Sequence, residues 1–281
     1  MDLTPWMERW HMLPEKGGVI LCAVSGGRDS ICLLDYLHTL GQERGFTAAA
    51  GHLNHLMRPT AQRDEDFVSK WCADHNIPLT IGSGDVAQAA QEQGKGIEET
   101  ARAMRYGFLT ETAQEVGAEK IATAHNADDN AETVLLHLVR GSGLDGLTGI
   151  PPVRGILIRP LLGVPRIDIE VYLAQENIPH VEDSSNQDTK FARNRIRQAI
   201  LPVMKDLNPA FVSTLSANLV HLREDRELLH DMAESVTCEA LVEDGKVSIQ
   251  AASLADLPHP IAARAVKQLL AKAGRFQVSA V

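Results

Sequence analysis

The stretch Val24-Ser-Gly-Gly-Arg-Asp-Ser-Ile31, directly after the apolar run Val19-Ile-Leu-Cys-Ala23, decides how the chain is read. A short apolar run, bare backbone and a polar helix start predict a strand, a tight turn and a helix from Asp29 to Leu40. Gly26 and Gly27 carry no Cβ, so a ligand can approach the main chain and successive N–H groups can converge on an anion. The helix that follows adds the positive end of its dipole. By itself an S-G-G is equally a tight turn with Ser25 or Asp29 as helix cap. Its place after the first strand of an α/β pattern turns the reading toward phosphate.

That pattern runs on along the chain. Thr47 to Leu53, Pro78 to Ile81 and Lys120 to Ala124 read as strands, and Ala61 to His75, Ile97 to Val116 and Ala127 to Val139 read as helices. Strand and helix in alternation predict a parallel, Rossmann-like sheet covered on both faces, with ligands beyond the carboxyl ends of the strands. Arg159-Pro-Leu-Leu162 and a helix from Pro165 to Glu176 extend this domain, and a further helix spans Phe191 to Ile200. After Leu207-Asn-Pro209 the texture becomes mostly helical, from Ala210 to Leu241 and from Pro260 to Ala273, with a short strand at Lys246 to Ile249. The reading is therefore an α/β catalytic domain over 1–208 and a smaller, mostly helical accessory domain over 209–281. Gly274-Arg-Phe-Gln-Val-Ser-Ala-Val281 shows no stop signature, so the natural chain is expected to be able to continue.

Composition narrows the class. The 281 residues are 44% hydrophobic, enough for a sizeable core. No run nears the ~18 apolar residues of a membrane span, and Met-Asp-Leu-Thr-Pro-Trp lacks the marks of a signal peptide, so a cytoplasmic protein is expected. Cys22, Cys32, Cys72 and Cys238 are scattered without a C-x-x-C pair, which argues for reduced thiols. A net charge of -10 argues against a nucleic-acid partner on average, yet seven arginines and Lys190 fall between Arg140 and Arg197.

Ser25-Gly-Gly-Arg-Asp-Ser30 lacks the lysine of G-x-x-x-x-G-K-[ST]. It resembles the S-G-G-x-D-S signature of the PP-loop ATP pyrophosphatase superfamily, which cleaves ATP to AMP and pyrophosphate. The resemblance implies that Ser25, Gly26, Gly27, Asp29 and Ser30 hold the pyrophosphate end of ATP, with Asp29 near Mg2+. A second segment, Thr123-Ala-His-Asn-Ala-Asp-Asp-Asn-Ala-Glu-Thr-Val134, places His125 at a strand end and Asp129 and Glu132 on one helical face. Alone, those carboxylates are equally solvated helix-start acids, and His125 is more often a packed or capped histidine than a catalytic one. Arg102 and Arg105, with Glu98 and Glu99 one turn earlier, are by themselves equally surface pairs. His52 and His55 lack further metal ligands, and His55 and Arg58 are placed in a loop near the adenine or cytidine.

Together with Gly51 to Pro59, Arg140-Gly-Ser-Gly-Leu-Asp-Gly-Leu147, Gly149-Ile-Pro-Pro152, Glu182-Asp-Ser-Ser-Asn186 and Arg193-Asn-Arg-Ile-Arg197, these segments resemble the tRNA(Ile)-lysidine synthetase family from Gly18 to Pro209. The resemblance implies a tRNA-modifying ligase: ATP adenylates the C2 oxygen of the wobble cytidine of a CAU anticodon, and the L-lysine ε-amine displaces AMP. It places lysine at Asp129 and Glu132. Arg105 and His125 are the candidates for the α-phosphate, where charge develops. Arg193 and Arg197, four apart on a face shared with Lys190, are read as contacts to tRNA backbone or ATP phosphates, with Ile196 and Ile200 packing inward. Arg140 to Leu147 is either a mobile loop at the mouth of the site or a helix exit capped by Gly141 or Gly143. The apolar positions 215, 219, 222 and 229 serve packing within the chain or in a homodimer. Rival readings are a sulfur-inserting PP-loop enzyme, a small-molecule synthetase and a nucleotide sensor without chemistry.

Overall fold

The computed structural model describes residues 1–56, 61–181, 192–243 and 246–274, and these form two compact units. The first comprises residues 1–132 and 151–213, the second residues 133–150 and 214–281.

In chain order the elements are α1 (Thr4–Arg9), β1 (Val19–Ala23), α2 (Arg28–Arg44), β2 (Thr47–Asn54), α3 (Ala61–Asp74), β3 (Leu79–Ser83), α4 (Val86–Gln93), α5 (Ile97–Glu115), β4 (Lys120–Ala122) and α6 (Ala127–Val139). There follow α7 (Leu144–Leu147), β5 (Val153–Arg154), β6 (Leu157–Ile158), α8 (Arg166–Gln175), α9 (Ala192–Arg195) and α10 (Leu201–Leu207). The sheet of the first unit has the order β3-β2-β1-β4-β6-β5, parallel throughout except for the β5–β6 pair. This is the parallel α/β architecture that the alternation predicted.

Alternation within the strands divides the core. Ile20, Cys22, Ala48 and Ala50 face Ile31, Leu34 and Leu37 of α2, Val68 of α3 and Ile169 of α8. Leu21, Ala49 and Ile121 face the other way, against Leu109 and Ala113 of α5. A strand buried on both faces needs no polar positions, which is why β1 reads as an unbroken apolar run.

Strand order reverses between β1 and β4, so the loops leaving those two strands diverge from one crevice. One of them is the glycine turn after Ala23, the other Thr123–Asn126 before α6. The topology alone thus brings together two motifs about a hundred residues apart.

The second unit holds α11 (Phe211–Thr237) over most of its length, the antiparallel hairpin β7 (Leu241–Glu243) and β8 (Lys246–Ser248), α12 (Ala252–Ala255) and α13 (His259–Lys272). Ala233 of α11 packs with Ile261 and Ala265 of α13. The sequence had extended the helix over Leu241, where the chain turns into the hairpin instead. The glycine stretch after α6 is a helix exit: Gly141 at φ +78°, its amide on Leu138 O at 3.1 Å and the Ser142 amide on His137 O at 3.0 Å, a Schellman cap. Among the described residues no helix is long and apolar enough to cross a membrane.

Candidate active site

The turn between β1 and α2 closes on its own side chains. Ser30 Oγ donates to Gly27 O at 2.9 Å and accepts from the Ser25 amide at 3.2 Å, which fixes the loop from below. Gly26 sits at φ +85°, a left-handed conformation that a Cβ would strain. Gly27 differs: its φ is -73°, and a Cβ there would meet only Ser25 Oγ at 3.4 Å and Val181 O at 4.0 Å. Among the described residues nothing requires glycine at 27. The bare backbone there suits a ligand that comes close.

Asp29 stands one residue into α2. Asn126 Nδ2 donates to its Oδ2 at 3.2 Å, while its buried Oδ1 has no hydrogen-bond partner among the described residues. Burial pushes the carboxyl above its usual range; Arg166 pulls it down and Asp129 pushes it further up. One orphan carboxylate oxygen beside a phosphate-type loop fits Mg2+, which takes one or two carboxylates and completes its shell with phosphate and water. Among the described residues no group of three or more His, Cys, Asp or Glu forms an all-protein metal cage.

Across the crevice α6 opens with a reciprocal cap. The Asp129 amide donates to Asn126 Oδ1 at 3.0 Å and the Asn126 amide to Asp129 Oδ2 at 3.1 Å. Asn126 therefore orients both Asp29 and Asp129, a link that the sequence reading did not single out. The N-x-x-D spacing before an apolar run was its signal.

The two acids expected to hold lysine have different surroundings. Glu132 is fully buried; Arg197 Nε donates to its Oε1 at 2.6 Å, and Arg197 Nη2 and Arg193 Nε donate to its Oε2 at 2.9 and 3.0 Å. It lies behind the cleft wall, and a cation reaching it would have to displace a guanidinium. Asp129 lines the cleft, with Arg197 and Arg193 Nη2 at 3.3 and 3.5 Å from Oδ1. Both arginines line the same cleft, on a helix in which a π turn (Ile196–Ile200) runs into Pro202, where the next amide donor is missing. Ile196 packs inward; Ile200 stays 37% exposed, because the π turn shifts it off the buried face.

His125 borders the cleft with Nδ1 3.1 Å from Thr123 Oγ1. Burial, then the charges of Arg159, Arg193, Arg105 and Arg102, hold its pKa down to about 3. The imidazole is thus neutral near pH 7. Arg105 also lines the cleft, its guanidinium 5.8 Å from the Tyr106 ring centre, whereas Arg102 lies 5.4 Å from that ring and outside the lining. His52 and His55 line it too; His52 Nδ1 is 2.8 Å from Val24 O, which makes that ring a brace for the loop. Arg58 and Lys190 lie outside the described residues.

One further side chain that the motif reading did not single out lines the wall. Arg166, the first residue of α8, lines the cleft with Nη2 3.8 Å from Asp129 Oδ1. Its amide donates to Asp128 Oδ2 at 2.8 Å, and Lys205 Nζ donates to Asp128 Oδ1 at 2.6 Å. Burial raises the Asp128 carboxyl, but Lys205 and the Arg166 amide outweigh it and lower its pKa. The cleft encloses about 850 Å³, within the range of small-ligand sites.

A parallel α/β sheet whose switch-point crevice holds a glycine anion loop and an orphan carboxylate defines a nucleotide-binding protein of the PP-loop kind. The PP-loop domain model matches residues 7–204, and the chain belongs to that family, which implies ATP use. Relatives named tRNA(Ile)-lysidine synthase include one from Thermotoga maritima, 44% identical over 69% of this chain and 47% of its own. Those from Dehalococcoides mccartyi and Bacteroides thetaiotaomicron are 39% and 36% identical, over 84% and 91% of this chain and 52% and 58% of theirs. The chain spans about half the length of the curated relatives it matches. Among solved structures, the U34-tRNA thiolase of Methanococcus maripaludis aligns at a TM-score of 0.62 with 16% identity over 79% of each chain, a likeness of fold.

Proposed function

We propose that this chain carries the catalytic part of a tRNA(Ile)-lysidine synthetase. The observation that carries the proposal is a single cleft with a phosphate-type loop on one wall and the pocket-facing Asp129 on the other. The relatives' names support it. Residues 1–208 would form the catalytic domain and 209–281 the accessory domain.

ATP binds with its pyrophosphate end on Ser25, Gly26, Gly27 and Ser30. Asp29 would hold Mg2+, which would supply neutralisation of phosphate charge. The cytidine C2 oxygen attacks the α-phosphorus; the α–β bridging bond breaks, and pyrophosphate leaves with the electron pair. Arg105 and neutral His125 stand where charge develops on the α-phosphate, His125 as a hydrogen-bonding group without charge. The oxo group, a poor leaving group, becomes a good one once it bears AMP. The lysine ε-amine then attacks C2 and AMP departs. Asp129 receives the lysine cation, while Glu132 acts through Arg193 and Arg197, which it holds in place. The nucleophile must lose a proton, and the Asp129 carboxylate in the same cleft offers it an acceptor.

The test is incubation of the protein with ATP, magnesium, lysine and CAU-anticodon tRNA(Ile), followed by mass analysis of the nucleoside at position 34. Lysine joined to that cytidine with loss of water is expected. Pyrophosphate release with an unmodified cytidine would move the chemistry to another nucleophile.

A further inference from the structure

Among the described residues five arginines line the cleft, and they are not equivalent. Arg193 and Arg197 are committed to Glu132 and Asp129, and Arg28 is paired with Glu170. Arg105 stands by the Tyr106 ring. Arg166, like Arg28, has its Nε buried and without a hydrogen-bond partner among the described residues, but Arg28 has Glu170 on its Nη1, whereas the nearest described carboxylate oxygen to Arg166, on Asp129, is at 3.8 Å, beyond hydrogen-bond reach.

A buried guanidinium donor without an acceptor awaits one, because such groups are ordinarily satisfied. The backbone is fixed to aim it. The Arg166 amide is held on Asp128, itself 3% exposed and clamped from the other side by Lys205. An anion makes the strongest bond to a guanidinium, and Arg166 is the cation that acts most strongly on Asp29, the carboxylate of the glycine loop.

We propose that Arg166 is a further catalytic residue that takes an oxygen of the β- or γ-phosphate of ATP and holds the charge of the departing pyrophosphate. Asp128 is its positioning residue. This rests on the reading that the loop from Ser25 to Ser30 holds the pyrophosphate end of ATP. The contact strengthens as the α–β bond breaks, since the electron pair passes to the group that Arg166 faces.

The test is titration calorimetry of the whole chain with inorganic pyrophosphate and magnesium, on wild type, Arg166→Met and Arg166→Lys. Arg166→Met is expected to weaken binding by about tenfold or more, the scale of one charged hydrogen bond. Arg166→Lys is expected to recover part of it, keeping the charge and losing the fork; it also serves if the methionine variant does not fold. Unchanged pyrophosphate affinity in the folded variants overturns the proposal, as does a loss confined to lysine KM, which would give the guanidinium to the lysine carboxylate. Wild type that binds pyrophosphate through Arg166 but leaves the cytidine unmodified would keep this assignment and remove the lysidine reading.

Discussion

The two walls of the cleft are built on opposite principles. On the loop wall, Gly27 presents bare backbone and Asp29 an oxygen without a hydrogen-bond partner among the described residues, so that oxygen is completed by something that enters. On the α6 wall, Glu132 is already saturated by two guanidiniums and Asp129 is capped by Asn126. The difference teaches which wall waits for the nucleotide and which wall is ordered before anything enters. A site that must place two successive reactants gains from one rigid side, because prepaid order does not have to be bought again at each step.

The comparison breaks most easily at Asp29. Asp29→Ala is expected to lower pyrophosphate release by about 10³-fold, the upper end of what one electrostatic contact supplies. Its melting temperature should hold, since one of the two carboxylate oxygens has no partner to lose. Undiminished turnover would remove the loop from the chemistry. The same truncation on the other wall should read out differently: Glu132→Ala leaves Arg193 and Arg197 facing each other and is expected to cost about 3 kcal/mol of stability. It should also raise lysine KM more than ATP KM. Chemical denaturation beside steady-state kinetics separates the two effects, and a variant of native stability with unchanged lysine KM would contradict the role given to Glu132.

The His125 prediction concerns pH. Its pKa falls from 6.5 in the unfolded chain to about 3 in the fold, so between those values the unfolded state binds a proton that the native state does not. Stability is therefore lost as pH falls through that window, by up to about 1.4 kcal/mol per pH unit. Melting curves of wild type and His125→Gln from pH 7 to pH 4 should converge as this term is lost from the wild type alone. Parallel curves would mean that the ring is not held neutral.

The smallest effects distinguish the two glycines. Gly26→Ala is expected to cost about 1–2 kcal/mol, since it forces an alanine to positive φ. Gly27→Ala should leave stability within about 0.5 kcal/mol and weaken ATP binding instead. Calorimetric titration with ATP, paired with thermal melts, tests that split.

Much of this was legible in the sequence because it rests on local periodicity. The apolar run before Ser25 read as a strand from its length and its place before a polar turn, and the strand–helix alternation pointed to the parallel sheet. The turn at Gly26 and the shared face of Asp129 and Glu132 followed from spacing. Whether Glu132 meets solvent did not, because its two partners lie more than sixty residues away and only the folded chain brings them in. Arg166 was invisible for the same reason: a single arginine at a helix start has no pattern, and its meaning comes from Asp128, Asp129 and Asp29 around it. The short strands β5 and β6, two residues each, carry too little sequence to show a period.

The account's central claim, that the loop wall receives the nucleotide while the α6 wall is complete beforehand, is tested most directly by amide hydrogen exchange with and without ATP and magnesium. Protection is expected in the segment from Val24 to Ile31, with little change from Ala127 to Glu132. Protection confined to the α6 segment, with the glycine loop exchanging as before, would contradict it.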